Sequence, residues 1–177
     1  MKLAVFVLLS AFVGVLPSCK NQETASNPPA TPSMTPTELA AKFPYDLGPG
    51  TVDVSAYPRE IQEDYKLFLA VCSGCHTSAR PLNSPYAARS DWHRFIHRMH
   101  VKINDRGFTL DPNDEKKIED FLAYDAKVRK IGHRAEFEAQ QGALKTQFQE
   151  VVKERDRLID EETRRLPKKE TPYVGTK

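Results

Sequence analysis

The stretch "AVCSGCHTSARPLN", residues 70–83, decides the interpretation of this chain because it contains the spacing Cys72-x-x-Cys75-His76. Covalent attachment of a c-type haem uses this spacing: the two thiols add to the vinyl groups of one porphyrin, and the adjacent imidazole reaches the iron. A zinc site would need further paired ligands, and the chain has no second cysteine pair. A thioredoxin-like dithiol normally follows a strand, whereas the run before Cys72 has a helical pattern. The spacing therefore favours one covalent haem over a dithiol or a metal site.

The N-terminus is typical of an exported protein. One positive charge at Lys2 precedes an apolar run, residues 3–16, that is too short for a comfortable membrane span. The run ends in "LPSC", residues 16–19, which resembles the lipobox of bacterial lipoproteins. We therefore predict a signal peptide at residues 1–18 and a lipid anchor on Cys19, facing the periplasm or the cell exterior. Ordinary cleavage that leaves a free Cys19 thiol is the alternative.

Net charge argues against nucleic acid as a partner. The chain has 26 Lys and Arg against 24 Asp and Glu, and removal of residues 1–18 takes away only Lys2, which leaves 25 against 24. Two haem propionates would bring this balance of +1 to about −1. The segment from Arg80 to Arg106 is nevertheless basic, with six Lys or Arg against two Asp. It is suited to hold the propionates or to attract an acidic redox partner, and a solvated helix face is the alternative.

Helical periodicity predicts an all-α fold. Pro, Thr and Ser enrichment predicts a flexible tether at residues 19–50, with packing of its end, around Phe43 to Leu47, on the domain as the alternative for that part. The remaining predicted parts are a small helical domain around one haem at 51–131, a charged helical extension with a long helix at 132–166, and a disordered tail at 167–177.

Three helices are expected in the domain. The first begins near Pro58 and leads into the haem motif. A proline-bearing loop, residues 78–89, precedes a second helix at 91–103, capped by Ser90 or Asp91. The third begins at "DP", residues 111–112.

Met99 is the predicted sixth ligand of the iron because it is the only methionine within the predicted domain and lies in the apolar stripe of the second helix. His100, at the edge of that stripe, is the alternative distal ligand. The spacing of His93, His97 and His100 is also compatible with a zinc ion, although a solvated basic face is the favoured interpretation.

These features together resemble the small monohaem cytochromes c and the cytochrome c domains of periplasmic dehydrogenase complexes. The resemblance covers about residues 57–128 and rests on Cys72-x-x-Cys75-His76, Arg80-Pro81-Leu82, Trp92, Arg98-Met99, Leu110 and "IEDFL" at 118–122. It implies terminal helices that pack across each other, a Pro81 carbonyl that accepts a hydrogen bond from His76, and Met99 as distal ligand. Arg80, Trp92 and Arg98 are further candidates for contacts with the haem or its propionates.

A haem with both axial positions filled has no open site for a substrate, so we expect one-electron transfer rather than enzymatic activity, alone or as the electron-transfer subunit of an enzyme complex. A haem-based sensor or gas-binding module is the alternative and requires a displaceable sixth ligand. The apolar positions of residues 133–166, among them Phe137, Leu144 and Val151, favour packing onto the domain or a free stalk, with docking or self-association as the alternative.

Overall fold

The computed structural model describes residues 33–166, which are mostly helical and include no strand. The predicted all-α class is confirmed. The helices are α1 Pro36–Leu39, α2 Arg59–Cys72, α3 Ala79–Asn83, α4 Arg89–Asn104, α5 Pro112–Asp125 and α6 Arg134–Arg165, with a 3₁₀ helix at Pro44–Leu47 and a π-helical segment at Ala126–Gly132. The predicted signal peptide, Cys19, the first part of the tether and the predicted tail lie outside the described residues. No helix within residues 33–166 is both long and apolar enough to cross a membrane.

The core lies where α2 and α5 cross. Phe68 and Phe121 are fully buried with ring centroids 5.1 Å apart, and Tyr65 lies 4.9 Å from Phe121. Each buried side chain of this size contributes about 1.5–3 kcal/mol relative to an exposed one. The Asp111 carboxylate caps α5 by accepting from the Asn113 amide at 2.8 Å, so the predicted start of this helix is confirmed.

Helix α4 begins earlier than its sequence predicts. Its N-cap is Ala88, which offers no side-chain hydrogen bond, so the predicted cap at Ser90 or Asp91 is wrong. The first helical residue, Arg89, donates across to Glu119 and Asp120 of α5. These tertiary contacts with α5 hold the first turn in place of a local cap.

Helix α3 lies inside the stretch predicted as a loop. Pro81 is its third residue, a position where proline is tolerated because the N–H groups of a first turn have no intrahelical partner. Leu82 is fully buried and fixes the turn to the core.

Asn83 connects α3 to segments before and after it in the chain. Its side-chain Nδ2 donates to the carbonyls of Pro49 at 2.9 Å and Ala79 at 2.8 Å, and its Oδ1 accepts from Gln140 Nε2 at 3.1 Å. Its backbone carbonyl accepts from Gln141 Nε2 at 2.7 Å. The polar atoms of this buried side chain are therefore all paired, and they tie α3 to both flanking segments.

We expect Gly48→Ala to destabilise the fold by about 2 kcal/mol. A Cβ at this position would lie 2.4 Å from the Cγ atom of Asn83, and that amide is held by three hydrogen bonds and has no free direction in which to move. The matched control is Gly142→Ala in α6, where the added Cβ meets nothing within 4 Å and is expected to stabilise by up to about 1 kcal/mol. Urea unfolding of the two variants measures both effects, and equal midpoints would contradict the expectation.

Residues 34–50 pack on the helical domain, although their composition predicts that the tether extends to residue 50. Arg80 of α3 binds the Asp46 carboxylate with both Nε and Nη2, at 2.7 and 2.9 Å. The 3₁₀ helix also contacts α6. The hydrogen bonds among these contacts use a carboxylate and backbone carbonyls, which the hydrophobic pattern does not indicate. The structured unit therefore includes this segment.

Helix α6 packs back on its own domain through one buried stripe, formed by Phe137, Leu144 and Val151. Two polar residues interrupt this stripe, and both contact the domain: Gln141 binds α3, and Arg155 donates to the Ala41 carbonyl at 2.8 Å. Self-association through α6 would therefore depend on its exposed side chains, such as Leu158 and Ile159.

Lys130 holds the loop after α3 against the π-helical segment. Its buried Nζ donates to the carbonyls of Pro81, Ser84 and Tyr86 at 3.2, 2.9 and 3.0 Å, and it lies 4.6 Å from the centre of the Trp92 ring. Burial lowers the pKa of Lys130, whereas the three carbonyl oxygens and the ring face favour the ammonium form. One side chain thus donates to three carbonyls, of which that of Pro81 also accepts from Ser84.

We expect Lys130→Met to destabilise the protein by about 3 kcal/mol, because methionine retains the stem but leaves the Ser84 and Tyr86 carbonyls without their donor. The melting temperature should fall by roughly 6–12 °C. Lys145→Met, at an exposed lysine of α6, is the control and should have little effect. Calorimetry of both variants tests this, and indistinguishable melting temperatures would contradict it.

Candidate haem-binding site

A cavity of about 840 Å³ lies among α2, α3, α4 and residues 37–46. Cys72, Cys75 and His76 line it together with Met99 of α4. Its apolar lining includes Phe68, Phe95, Ile96, Ile103, Ile118 and Leu122. The volume falls in the range of ~300–1,000 Å³ that is typical of small-molecule and cofactor pockets. The fold therefore brings the motif and the predicted distal ligand to one cavity.

The two cysteines are free thiols in different surroundings. Cys72 is the last residue of α2, and burial, with a smaller effect of Cys75, raises its pKa to about 12. Cys75 is exposed, and its Sγ accepts a hydrogen bond from Arg106 Nη1 at 2.8 Å. A redox-active dithiol has a lowered pKa, often at a helix N-terminus. Cys72 has a raised pKa at a helix C-terminus, so this geometry disfavours the dithiol interpretation.

The imidazole of His76 is oriented by the residue next to it. Its Nδ1 lies 3.0 Å from the Thr77 carbonyl oxygen, and since a carbonyl only accepts, this contact assigns the proton to Nδ1 and leaves the Nε2 lone pair free. The Pro81 carbonyl, which the resemblance assigned to His76, accepts instead from Lys130 and Ser84. In this structure His76 therefore contacts the Thr77 carbonyl and not that of Pro81. A backbone carbonyl carries no sequence signal, so sequence reasoning had no means of finding it.

Met99 and His100 have different surroundings. Met99 lines the cavity, whereas the Nδ1 atom of His100 hydrogen-bonds to Glu115 of α5, and His100 is not among the cavity-lining residues. His93 likewise pairs with Glu119 at 3.1 Å. In the described part of the chain, no group of three or more His, Cys, Asp or Glu is placed to hold a metal ion. The structure therefore favours the thioether as the distal group and gives the zinc interpretation no support.

Trp92 lines this cavity, and its indole carries a buried donor without a partner. Its side chain is 2 % exposed, and its Nε1 is the one buried side-chain N or O atom in residues 33–166 that lacks a hydrogen bond. Leaving such a group unpaired costs about 1–3 kcal/mol. An acceptor on the cavity's occupant would remove this cost. A haem propionate is such an acceptor, so the lining residues fit the predicted group.

The cavity's basic residues fall into two sets. Arg80, a predicted propionate contact, already pairs through both Nε and Nη2 with Asp46, whereas Arg98 lines the cavity and forms no ion pair with a described carboxylate. Three further cations line the cavity without a described acidic partner: Lys42, Lys102 and Arg106. Other members of the predicted basic segment are neutralised, since Arg89 and Arg94 bind carboxylates. The positive charge is therefore concentrated at the cavity.

No protein-family model matches this chain, and no curated protein or solved structure matches it either. The resemblance to monohaem cytochromes c consequently stays a prediction that rests on the motif residues.

Proposed function

We propose that this protein is a monohaem c-type cytochrome that transfers single electrons between redox partners. The observation that carries the proposal is the shared cavity, in which Cys72, Cys75 and His76 meet Met99 beside the unpaired indole N–H of Trp92. Attachment, ligation and propionate binding each require one of these groups. No single one of them is specific for haem, and their convergence in one cavity is what supports the proposal.

The attachment chemistry needs only the two thiols and the vinyl groups. Each S–H adds across one C=C bond, so that sulfur bonds to one vinyl carbon and the proton goes to the other, with no leaving group. The free Nε2 of His76 and the sulfur of Met99 would then be the groups that hold the iron. A bound haem supplies the iron that alternates between the ferric and ferrous states.

The protein's own residues would tune that electron exchange. The thioether of Met99 favours ferrous iron and thereby raises the reduction potential. The apolar walls formed by Phe68, Phe95 and Ile96 exclude water and disfavour the additional positive charge of the ferric state. With both axial positions filled, the site would exchange electrons without binding a substrate.

The charge around the cavity favours an acidic redox partner. Lys42, Arg98, Lys102 and Arg106 have no described carboxylate partner, and the exposed side chains of Val101 and Phe108 lie on α4 and in the loop that follows it. Cations with nearby exposed apolar groups suit brief, steered contacts, which weaken as salt screens the charges. We further propose that the protein is exported and anchored at Cys19, so that these encounters take place at a membrane surface.

Acid–acetone extraction of the exported wild-type protein tests the proposal. We expect the red colour to stay with the protein, an intact mass increased by one haem, and a sulfur-to-iron charge-transfer band in the ferric optical spectrum. An unpigmented protein would contradict the haem proposal. A pigmented protein that lacks this band and binds carbon monoxide rapidly would instead support the sensor function.

A further inference from the structure

One wall of the cavity comes from a segment outside the region that resembles monohaem cytochromes c. Residues 37–46 line the cavity and include the end of α1 and the start of the 3₁₀ helix. These two short helical turns are the segment's own secondary structure. Ala41 is the only buried residue between positions 33 and 50, and Phe43 is 42 % exposed. Ala41 is thus the one fully buried apolar side chain of this segment, and polar contacts with α3 and α6 add to its attachment.

The main polar contact is the Asp46–Arg80 pair. The Asp46 side chain is 3 % exposed and accepts from Arg80 Nε and Nη2 at 2.7 and 2.9 Å. The same carboxylate accepts from the amides of Lys42 and Phe43 at 2.8 and 3.1 Å, so it also organises the segment itself. Burial raises the pKa of Asp46, but the Arg80 guanidinium and the amides outweigh it and hold the pKa below its usual value.

Two weaker contacts support the pair. The Arg80 guanidinium lies 5.3 Å from the centre of the Phe43 ring, and on the other side Arg155 of α6 donates to the Ala41 carbonyl. Arg80 therefore takes part in the ion pair with Asp46 and in the cation–π contact with Phe43, and its removal would release the two together.

We propose that residues 37–46 form a strap that closes the cavity and that the Asp46–Arg80 pair is its latch. When the pair is broken, the strap separates from α3 and opens this side of the cavity to water and to small ligands. The inference concerns a wall of the cavity and is independent of whether the occupant is a haem.

Trypsin cleavage after Lys42 tests the latch, because this exposed lysine lies in the strap and cleavage there needs the strap to detach. The new N-terminus at Phe43 is followed by mass spectrometry in wild type and in Arg80→Gln, using the full exported protein. Hydrogen bonds to charged groups of this kind predict a roughly tenfold to hundredfold faster cleavage in the variant. Arg80→Lys retains the charge but loses the bidentate hydrogen bonding. Its cleavage rate should lie between those of wild type and Arg80→Gln.

Arg157→Gln is the matched control. Arg157 also binds carboxylates with both Nη groups, Glu154 and Glu161, but on the exposed face of α6, so its replacement should leave cleavage after Lys42 unchanged. Equal rates in Arg80→Gln and Arg157→Gln would overturn the proposal. So would an equal acceleration at sites within α6, since it would mean general unfolding rather than release of the strap.

A second measurement examines the cavity itself. In the pigmented ferric protein, imidazole should bind the iron faster in Arg80→Gln than in wild type by about the same factor as the cleavage. Unchanged binding despite faster cleavage would show that the strap does not close the cavity and would overturn the proposal. An unpigmented protein would remove the haem proposal, while cleavage after Lys42 would still decide whether the latch exists.

Discussion

Replacing both Cys72 and Cys75 by alanine is expected to abolish covalent haem attachment, whereas either single replacement leaves one thioether. The two sulfurs are the only groups lining the cavity that can add to a vinyl carbon in this way. The intact mass of the exported chain should therefore lack one haem in the double variant. The loss should be complete, because noncovalent contacts remain but no bond to sulfur does.

The third cysteine provides an internal control. Cys19→Ala removes the predicted lipid attachment but neither haem thiol, so it should give a pigmented protein that moves from the membrane fraction to the soluble fraction. A double variant of Cys72 and Cys75 that still carries covalent haem would contradict the attachment proposal. A Cys19→Ala protein without haem would show that the three cysteines do not have separate roles.

The two single cysteine variants should also differ from each other in their yield of attached haem. Cys72 lies at the end of α2 and is largely buried, so its replacement alters the fixed wall of the cavity. Cys75 is exposed and bound to Arg106, and its replacement leaves that wall unchanged. We therefore expect a lower yield of attached haem from Cys72→Ala than from Cys75→Ala.

The parts of the fold that follow from local signals could be predicted. The start of α5 has Asp111 as cap and a proline in first position, and α2 presents an apolar face ahead of the cysteines. The placement of Met99 at the cavity could be predicted because its apolar stripe on α4 faces the core. In each of these cases the deciding pattern lies within a single helix.

The parts that depend on contacts between distant polar groups could not be predicted. Lys130 binds three backbone carbonyls more than forty positions earlier in the chain, and Asp46 binds Arg80 from a segment whose composition indicates a tether. A carbonyl has no residue-specific pattern, and an isolated charged residue in a sequence looks the same whether it is solvated or paired. The same reason explains why Thr77, not Pro81, is the partner of His76.

The pairing of Arg80 with Asp46 could not be predicted for a related reason. A basic residue just after the haem motif is suited to a propionate, but the Asp46 carboxylate lies closer and forms two hydrogen bonds. The indole of Trp92 and the unpaired Arg98 are the groups that the structure leaves available for this role. The residues that stabilise the cavity wall, Asp46 and Arg80, therefore differ from those left to bind an occupant, Trp92 and Arg98.

Met99→Ala is expected to change the iron site more than any other single replacement that leaves the haem attached. Loss of the thioether should remove the sulfur-to-iron charge-transfer band of the ferric protein. It should also lower the reduction potential by a substantial part of the ~0.8 V range that axial ligands span, because the remaining ligand, water or a nitrogen donor, favours ferric iron more strongly. Optical spectroscopy and redox titration of the purified protein measure the two effects.

His100→Ala is the control that separates the two candidate distal ligands. Its imidazole is bound to Glu115 on α5, so its replacement should leave the band and the potential close to those of wild type. Since the two residues are neighbours on α4, general disturbance of this helix would affect both variants alike. Loss of the band in His100→Ala but not in Met99→Ala would contradict the assignment of the thioether and identify His100 as the ligand.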